Sequence, residues 1–396
     1  MRIGMILDAV FPPDPRVENE AATLIEAGHQ VFLFCLSYGK NNQDAIYEGI
    51  QVKRYTSNKL LYKFSALAYT FPLYSFFLSK KIKHFIHEHK IEVVHVHDLQ
   101  IAGAVEKATY NSDLKIILDL HENRPEIMKF YGHLQKGLGK LLIKPSKWKK
   151  KEEYFVRKFD TAIVVTEEAK KELEERCGVQ ASKIVVVPNT VRKSFYENST
   201  FDKQILNRYK NGLTLLYIGD TALRRGLELV IEAVGLVKDK LPTIKLIIVG
   251  TSKSDIVLKE KVKKMNIEGW VDFVGWQEPK LFPTYIESAT ICISPLHRNP
   301  HHDTTYANKL FQYMSFGKAL LVSDATSQKN LINTVGAGLV HKDRNVNDFV
   351  EKLLVLANDE ALRMEMGIKG KDFIENEFCW EKASRNLVDL YSNLTD

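Results

Sequence analysis

The sequence of 396 residues predicts an α/β protein with two doubly wound parallel sheets in tandem. Short apolar runs rich in β-branched residues alternate with amphipathic segments of helical period from end to end. The runs are continuously apolar, which is typical of strands covered by helices on both faces. A composition of 45% hydrophobic and 27% charged residues is ordinary for a globular chain of two domains, and it argues against disorder, collagen and a coiled coil.

In the first half, six apolar runs predict the strands of one sheet. They lie at 2–7, 29–36, 93–97, 115–120, 161–166 and 183–188. An amphipathic helix is predicted at 18–27, after the first strand. Pro188-Asn189 punctuates the last strand and a polar stretch follows at 191–212, so the first domain is predicted to span 1–190.

The second half repeats this alternation and predicts a second domain at 191–372. Its strands are predicted at 213–219, 244–250, 271–276, 289–295 and 319–324, and helices at 227–238 and 346–357. A last helical segment, 373–396, is predicted to pack back toward the first domain. Ligands of open parallel sheets bind beyond the carboxyl ends of the strands. Two facing domains would therefore place these strand-end loops across a shared cleft.

Other features exclude several classes of protein. The four cysteines lie far apart without a CxxC motif, which argues against a disulfide scaffold or a zinc knuckle and fits a reducing compartment. Asp8 interrupts the first apolar run and no small-residue cleavage site follows, so no signal peptide is predicted. The longest apolar stretch, 64–78, is broken by Pro72 and falls short of the roughly 20 residues of a membrane span.

The net charge of +7 is concentrated in two lysine-rich segments of the first half. Segment 129–151 contains eight lysines and no acid, and segment 53–90 contains eight basic residues against Glu88 alone. Such a field attracts nucleic acid, an anionic membrane or an acidic substrate, and a solvated lysine face is the alternative.

Apolar and aromatic residues at 60–78 stand directly before Lys80, Lys81 and Lys83. This pattern is typical of a helix lying in a membrane interface, whereas a buried helix followed by solubilising lysines is the alternative. The expected partner is therefore an anionic membrane surface and not nucleic acid. The expected location is cytoplasmic, with peripheral attachment to the inner membrane left open.

In the second half, three strand-end loops carry residues suited to a nucleotide. Gly219 ends one strand, and Arg224 and Arg225 stand just before a helix. Guanidinium groups at a helix N-terminus are typical of a phosphate site, and the alternative is that these arginines are simply on the surface. Gly275 lies between Phe273 and Trp276, which suit a flat base, although a buried strand with a turn glycine fits as well. Lys309 adds a cation where a helix is predicted to start.

Three histidines of the loop before that helix suggest a metal site. However, His301 and His302 are adjacent, and together with His297 they lack the spacing and the clustered cysteines of metal ligands. No metal is therefore predicted.

These loops, taken together, resemble those of glycosyltransferase family 4, the retaining, metal-independent, nucleotide-sugar-dependent enzymes of the GT-B fold. The resemblance covers nearly the whole chain. It is carried by the stretches 12–31, 95–103, 118–126, 185–190, 217–233, 271–276 and 308–324.

On the donor side, the resemblance assigns the diphosphate to Arg225, Lys309 and the backbone at Leu310 and Gly219, with Arg224 assisting. Asp220 stands where many members have an arginine, which places more of the charge on Arg225. The base would lie at Phe273, Val274 and Gly275.

The chain departs most from the family at its pair of glutamates. The glutamate that holds the ribose falls on Gln312, which can still hydrogen-bond a diol, but without a charge. The glutamate that contacts the donor sugar falls on Thr304, with Asp303 beside it. Donor affinity or donor choice is therefore the property that these replacements affect most.

On the acceptor side, His121 falls on the family's cleft histidine, which hydrogen-bonds the donor sugar. His97 and Asp98 end the preceding strand and line the same rim, with Glu122 next to His121. Arg16, in the loop after the first strand, is a candidate to meet a phosphate. The predicted catalytic residues are His121, Arg225 and Lys309.

The resemblance implies retaining transfer from a nucleotide-diphospho-sugar, with UDP favoured and GDP open, to a glycan or lipid-linked acceptor. The expected pathway is the assembly of a cell-surface polysaccharide or lipopolysaccharide, and no cofactor is expected. Two alternatives remain open, namely a UDP-sugar 2-epimerase of the same architecture and a non-catalytic partner subunit that kept the fold.

Overall fold

A computed structural model describes residues 1–39, 43–131, 134 and 142–394, except for the side chain of Lys59. The chain divides into two compact units. Unit 1 is Met1–Pro188 together with Ser384–Asp396, and unit 2 is Asn189–Ala383. The first division falls two residues before the predicted boundary. The second lies after Ala383 instead of after residue 372, because residues 373–383 pack within unit 2 and only the last helix belongs to unit 1.

Unit 1 contains an eight-stranded sheet that is parallel except at one edge. The strands are β1 Arg2–Ile6, β2 Gln30–Ser37, β3 Ala45–Tyr47, β4 Ile50–Thr56, β5 Val93–His97, β6 Lys115–Asp119, β7 Thr161–Val164 and β8 Ile184–Val186. Their order in the sheet is β3-β4-β2-β1-β5-β6-β7-β8, and β3 is antiparallel to β4.

All six strands predicted for the first half are present, and β3 and β4 are additional. In β4 only Ile50 and Val52 are buried, because the strand lies near the edge of the sheet. Its sequence therefore has no continuous apolar run of the kind that marks the central strands.

Helices cover both faces of this sheet. They are Pro15–Glu26, Lys59–Ser65, Leu73–Glu88, Leu99–Ala108, Arg124–Ile127, Pro145–Lys158, Glu167–Cys177 and Arg385–Ser392, with 3₁₀ turns at Met128–Phe130 and Ala181–Lys183. The first helix starts at Asp14, whose side chain accepts a hydrogen bond from the Val17 amide, and Pro15 occupies the first helical position. These two residues explain why the helix begins three residues before the predicted start.

Unit 2 contains a six-stranded, fully parallel sheet. The strands are β9 Thr214–Ile218, β10 Lys245–Val249, β11 Val271–Gly275, β12 Ile291–Ser294, β13 Ala319–Ser323 and β14 Gly338–His341. Their order in the sheet is β11-β10-β9-β12-β13-β14. Of these strands only β14, at one edge of the sheet, was not predicted, because its four residues include a glycine and a histidine and do not form an apolar run.

The helices of unit 2 lie on both faces of its sheet. They are Ser194–Glu197, Lys203–Arg208, Leu227–Val237, Asp255–Lys264, Phe282–Glu287, Pro300–Asp303, Lys309–Ser315, Thr326–Val335, Val346–Asn358, Glu360–Phe373 and Trp380–Ala383, with 3₁₀ turns at Leu223–Arg225 and Pro279–Leu281. A π-helical turn at Ile374–Phe378 interrupts the segment predicted as one helix from residue 373.

The last helix, Arg385–Ser392, packs in unit 1 against the helix Pro15–Glu26 and strand β8. The Asn386 side-chain amide donates to the Val186 carbonyl over 3.0 Å, and Leu387 and Tyr391 are fully buried. Among the described residues, no helix combines the length and the apolar character that crossing a bilayer requires.

Candidate functional site

The most unusual group in unit 2 is the ammonium of Lys309, which is buried but has no hydrogen-bond acceptor among the described residues. Only 8% of the residue is exposed, and Nζ lies over the Tyr217 ring, 3.3 Å from its centroid. Burial, followed by the charge of Arg225, holds the pKa of Lys309 well below its ordinary value. A buried charge without a counter-ion is costly, so this position suits the binding of an anion.

Gly219 leaves the space that this ammonium occupies. It follows β9 with a φ of +129°, and a Cβ atom at this position would lie 3.2 Å from Lys309 Nζ. A larger residue would be strained in its backbone and would crowd the ammonium.

Two arginines lie close to the same lysine. The turn Leu223–Arg225 ends at Gly226, where a Cβ atom would come within 1.8 Å of the Pro295 carbonyl oxygen, so only glycine fits. Arg224 Nη1 donates to Asp220 Oδ2 over 2.9 Å. Arg225 Nε lies 3.6 Å from the same oxygen and has no hydrogen-bond acceptor in the described part of the chain. Asp220 therefore positions both arginines while leaving Arg225 donor capacity for a ligand.

Two neutral histidines lie beside these arginines. Burial, then the neighbouring charges of His302 and the two arginines, lowers the pKa of His301 to about 3. Burial outweighs a hydrogen bond to the His297 carbonyl and lowers the pKa of His302 to about 4. Their Nδ1 and Nε2 atoms, respectively, have no partner among the described residues, so they are further candidates for ligand contacts. The sequence drew attention to them only as metal ligands.

The backbone amides at two predicted diphosphate positions, Leu310 and Gly219, have partners, and the approach of a diphosphate to these positions stays a prediction. The Leu310 amide donates to the Ala307 carbonyl over 2.9 Å, and the Gly219 amide donates to the Val249 carbonyl over 2.8 Å. Both amides are already used inside unit 2, because the chain turns tightly at the start of helix Lys309–Ser315 and the sheet ladder continues to Gly219. The positive charge near an anion comes from side chains.

The two residues that replace the sugar-binding glutamate are also committed elsewhere. Asp303 Oδ1 accepts a hydrogen bond of 2.7 Å from the Thr326 amide at the start of helix Thr326–Val335, and its carboxylate also pairs with Arg298. Thr304 is buried and donates to the Pro300 carbonyl over 2.8 Å. Both side chains thus stabilise the loop. Gln312 is half-buried on helix Lys309–Ser315, and its predicted contact with ribose stays a prediction.

The predicted base site lies at the carboxyl end of β11. Phe273 and Val274 are half-buried, and Gly275 has a φ of +79° with open space around its Cα. The Gly275 carbonyl accepts from the Gly250 amide over 2.7 Å, and Trp276 beyond it is exposed. These positions stay candidates for a base.

In unit 1, the corresponding strand ends hold a buried cluster of charges around Asp119. Asp119 ends β6 and lies opposite His97, the last residue of β5. Arg16 forms a two-pronged ion pair with Asp119, with Nε–Oδ2 at 2.8 Å and Nη2–Oδ1 at 2.7 Å. Although burial raises the pKa of Asp119, the charges of Arg16 and His121 hold it well below its ordinary value.

Arg16 therefore lies elsewhere than the sequence predicted. Its guanidinium is buried, contacts Glu20 Oε1 at 2.8 Å and donates to the Val187 carbonyl at 3.1 Å, in addition to Asp119. With its donors directed at these groups, it holds unit 1 together and is not available to a phosphate.

His121 connects this cluster to the surface. Its Nε2 lies 2.7 Å from Asp119 Oδ2, and its Nδ1 lies 3.9 Å from Asp98 Oδ2. Burial lowers the pKa of His121, but the charges of Asp119 and Asp98 outweigh it and raise the pKa to about 9. With 17% of its side chain exposed, His121 presents a protonated imidazolium near neutral pH.

The other predicted residues of this rim differ in accessibility. His97 is fully buried, with Nδ1 3.3 Å from Asp119 Oδ2 and 3.1 Å from His121 Nε2, so it supports His121 from below. Asp98 is half-buried and has a φ of +71°, a strained conformation for an aspartate. Glu122 pairs with Arg124 at 2.9 Å.

Glu20, His95, His97 and Asp119 bring their ligand atoms within 4.8 Å of one another, as a metal site would. However, both carboxylates already pair with the Arg16 guanidinium, and Asp119 also pairs with His121. Sequence reasoning missed Asp119, Glu20 and His95, because nothing in a linear pattern shows which charged residues fold into one buried cluster. For His95 and Asp119 the available signal was a polar residue within an apolar strand run, whereas Glu20 lies on helix Pro15–Glu26.

The chain matches two family models that together cover most of its length. Residues 16–195 match Glycosyltransferase Family 4, and residues 198–373 match Glycosyl transferases group 1. The chain is a group 1 glycosyltransferase of the GT-B fold. It is an enzyme.

Relatives with curated names include two uncharacterized glycosyltransferases of Methanocaldococcus jannaschii. MJ1178 is 24% identical over 85% of this chain and 84% of its own length. MJ1069 is 22% identical over 69% of this chain, and the match covers 65% of MJ1069, which is just under two thirds of its length.

Solved structures share the fold of this glycosyltransferase at low sequence identity. Sucrose-phosphate synthase from Thermosynechococcus elongatus superposes with a TM-score of 0.77 at 15% identity, over 100% of this chain and 99% of its own. HepE from Anabaena, in complex with UDP and glucose, gives a TM-score of 0.74 at 12% identity, over 99% of this chain and 100% of its own.

Proposed function

We propose that this glycosyltransferase moves a sugar from a UDP-sugar to an acceptor hydroxyl with retention of configuration. The observation that carries the proposal is the buried, unpaired ammonium of Lys309 with Arg225 beside it. Two cations at the end of β9, with few carboxylates to balance them, suit the diphosphate of a nucleotide-sugar. UDP is favoured because HepE, which shares the fold, has been crystallised with UDP and with UDP-glucose.

In this mechanism the departing diphosphate is stabilised by cations. As the bond from the sugar to the diphosphate breaks, negative charge develops on the leaving oxygen, and Lys309 and Arg225 lie ready to neutralise it. A donor phosphate oxygen takes the proton of the acceptor hydroxyl on the same face, so no protein base is required. His121, which Asp119 holds in its protonated form, keeps its predicted role as a hydrogen-bond donor to the donor sugar.

The first test is nucleotide release from a panel of UDP- and GDP-sugars, with mass spectrometry of the donor. Release of UDP with a new glycoside of retained configuration supports the proposal. Release of GDP would show that the donor is a GDP-sugar instead of a UDP-sugar. An epimerised donor without transfer would support the 2-epimerase, and the absence of any reaction with every donor and acceptor would contradict the proposal.

The matched pair of variants is Lys309→Ala and Lys329→Ala. Lys329 is an exposed lysine of the same unit. UDP affinity, measured by titration calorimetry, is expected to fall at least tenfold in Lys309→Ala and to stay unchanged in Lys329→Ala.

The acceptor is expected to be a glycan or a lipid-linked saccharide in the assembly of a cell-surface polysaccharide or lipopolysaccharide. A surface of unit 1 supports a location at an anionic membrane. Phe71, Leu73, Phe76 and Phe77, here called the apolar surface, are all exposed, with Phe77 at 55%. Helix Leu73–Glu88 buries Tyr74, Leu78 and Ile82 on its opposite face, so the helix is only partly buried.

Two lysines lie near the apolar surface. Lys80 Nζ lies over the Phe76 ring at 4.8 Å, and Lys151 lines a shallow depression together with Phe71. Exposed aromatic residues among lysines are typical of a surface that inserts between lipid headgroups. Lys136 and Lys140 of the lysine-rich segment 129–151 lie outside the described residues.

Vesicle co-sedimentation tests this location. Each lysine near an anionic surface contributes about 1 kcal/mol, so glutamine at Lys147, Lys149, Lys150 and Lys151 should weaken binding to anionic vesicles at least tenfold. The same change at four exposed lysines of unit 2, Lys240, Lys253, Lys263 and Lys264, is the matched control. Equal binding to neutral and anionic vesicles, or none to either, would contradict membrane attachment.

A further inference from the structure

Unit 1 contains a cavity of about 690 Å³ whose walls are mostly apolar. This volume lies within the range of about 300–1,000 Å³ that is usual for ligand sites. The described apolar walls are formed by Leu67, Met128, Tyr131, Leu142, Ile143 and Trp148. Such walls suit a hydrocarbon or aryl group, since they offer few polar partners to a sugar.

One part of the cavity wall is polar. It is formed by Asp8, Asp98, Gln100 and Arg124. Gln100 Nε2 donates to Asp8 Oδ2 over 2.5 Å, and Arg124 Nη2 donates to Gln100 Oε1 over 2.8 Å. Burial raises the pKa of Asp8 despite its hydrogen bonds from Tyr74 and Gln100. These groups hold one another in place and form a fixed polar surface.

Two features of the polar part suit hydroxyl groups. Asp98 contributes carboxylate oxygens, and the strained backbone at this residue fixes where its side chain starts. Arg124 Nε is buried and has no hydrogen-bond acceptor among the described residues, so it can donate to a ligand oxygen. A carboxylate and a donor side by side suit the hydroxyls of a sugar better than a phosphate, which Asp8 and Asp98 would repel.

The polar part also adjoins the predicted catalytic histidine, because Asp98 Oδ2 lies 3.9 Å from His121 Nδ1. Elsewhere the cavity reaches the surface of unit 1. Tyr62 lines it and is 61% exposed, and the Thr70 hydroxyl next to Phe71 donates to the carbonyl of the cavity residue Leu142 over 2.7 Å. The cavity thus connects the neighbourhood of His121 with residues adjoining the apolar surface.

We infer that this cavity binds the hydrocarbon chain of an amphipathic acceptor and presents the hydroxyls of its sugar to Asp98 and Arg124. This inference rests on the proposed function and deepens it. It chooses a lipid-linked saccharide over a free glycan as the acceptor class.

Titration calorimetry of the whole protein with n-alkyl β-glucosides, below their micelle concentrations, tests the site. The affinity is expected to rise about two- to fourfold for each methylene added from butyl to octyl, since each enters the cavity. An affinity independent of chain length would overturn the inference.

The variant Leu67→Trp narrows the cavity at a half-buried wall position, and Leu236→Trp adds the same ring at an exposed position of unit 2. Leu67→Trp is expected to lower octyl glucoside affinity at least tenfold while circular dichroism and UDP affinity are unchanged, and Leu236→Trp is expected to have no effect. Asp98→Asn should weaken all the glucosides by about the same factor and leave the dependence on chain length intact.

Two outcomes distinguish this inference from its neighbours. If octyl glucoside binding survives Leu67→Trp but is lost in Phe76→Ser/Phe77→Ser, the alkyl chain binds on the apolar surface and not in the cavity, and the inference is wrong. Since the titration needs no donor, a protein that binds alkyl glucosides in this manner but no nucleotide-sugar would refute the proposed function and leave the cavity as a lipid site.

Discussion

Both units bury positive charge at the carboxyl ends of their strands, but they differ in whether carboxylates balance that charge. In unit 1, the positive charges of Arg16 and His121 are matched by Asp119 and Glu20, so the buried charges neutralise one another. In unit 2, the Lys309 ammonium is equally buried but faces an aromatic ring and two arginines. The comparison teaches that burial alone does not reveal the role of a charge. A matched cluster stabilises its own unit, whereas an unmatched cation stabilises a ligand at the expense of the free protein.

The largest effect is expected from removing the centre of the matched cluster. Asp119→Ala leaves the positive charges of Arg16 and His121 with Glu20 as their one remaining fully buried carboxylate among the described residues, and breaking a buried pair in this way costs about 3–5 kcal/mol of unfolding free energy. Urea unfolding followed by fluorescence measures the loss. Asp44→Ala, which removes an exposed pair with Lys53, is the control and should cost less than about 1 kcal/mol. Equal losses in both variants would show that the cluster is not stabilising.

At the unmatched cations of unit 2, substitutions should lower turnover more than they lower stability. Lys309→Ala and Arg225→Ala are each expected to lower turnover at least a hundredfold, since loss of one electrostatic contact to a transition state costs roughly 3–4 kcal/mol. At pH 7 the unfolding free energy of Lys309→Ala should be unchanged or higher, because a buried unpaired charge is removed. Near-normal turnover in both variants would place the diphosphate elsewhere.

The pH dependence of stability should have opposite signs in the two units. The folded-state pKa of His121 is raised to about 9 from an ordinary 6.5. Its stabilisation is therefore complete below pH 6.5 and is lost as the pH rises through 9, by at most about 3 kcal/mol. The folded-state pKa of Lys309 is lowered, so the unfolded chain binds more protons and this contribution rises with pH up to about 10.4.

Unfolding at pH 6 and pH 9.5 separates these contributions by difference. The decrease in unfolding free energy that His121 contributes between these two pH values should be absent in His121→Gln. The increase that Lys309 contributes should be absent in Lys309→Met. If His121→Gln shows the same pH profile as the unmodified protein, Asp119 does not hold an imidazolium.

The smallest effect is expected at the ribose. Gln312→Glu is expected to tighten UDP binding about three- to tenfold, because a charged acceptor forms stronger hydrogen bonds with a diol than an amide does. Titration calorimetry measures the change. Weaker binding would show that Gln312 does not face the ribose.

The sequence predicted the strands of both sheets well, because central parallel strands need continuous apolar runs. Strand β5 is found at the predicted residues, 93–97. The sequence also predicted the loops that carry Gly219, Arg225 and Lys309, since the order of strands places these loops at one edge of the sheet. What it could not predict is which partner each polar side chain finds. Asp303 accepts a hydrogen bond from the first amide of helix Thr326–Val335, and Arg16 pairs with Asp119, 103 residues away along the chain. Neither contact is visible without the fold.

The hydrogen bond between Tyr391 Oη and His95 Nδ1, 2.8 Å long, has a consequence for the order in which the protein matures on the ribosome. Unit 1 needs residues from both ends of the chain, whereas unit 2 is one continuous stretch, Asn189–Ala383. At about 5–20 residues per second, synthesis of that stretch takes on the order of 10–40 s. During this interval the nascent first unit lacks the helix that covers His95 and Glu20. The unit that is synthesised second can therefore complete its fold before the unit that is synthesised first.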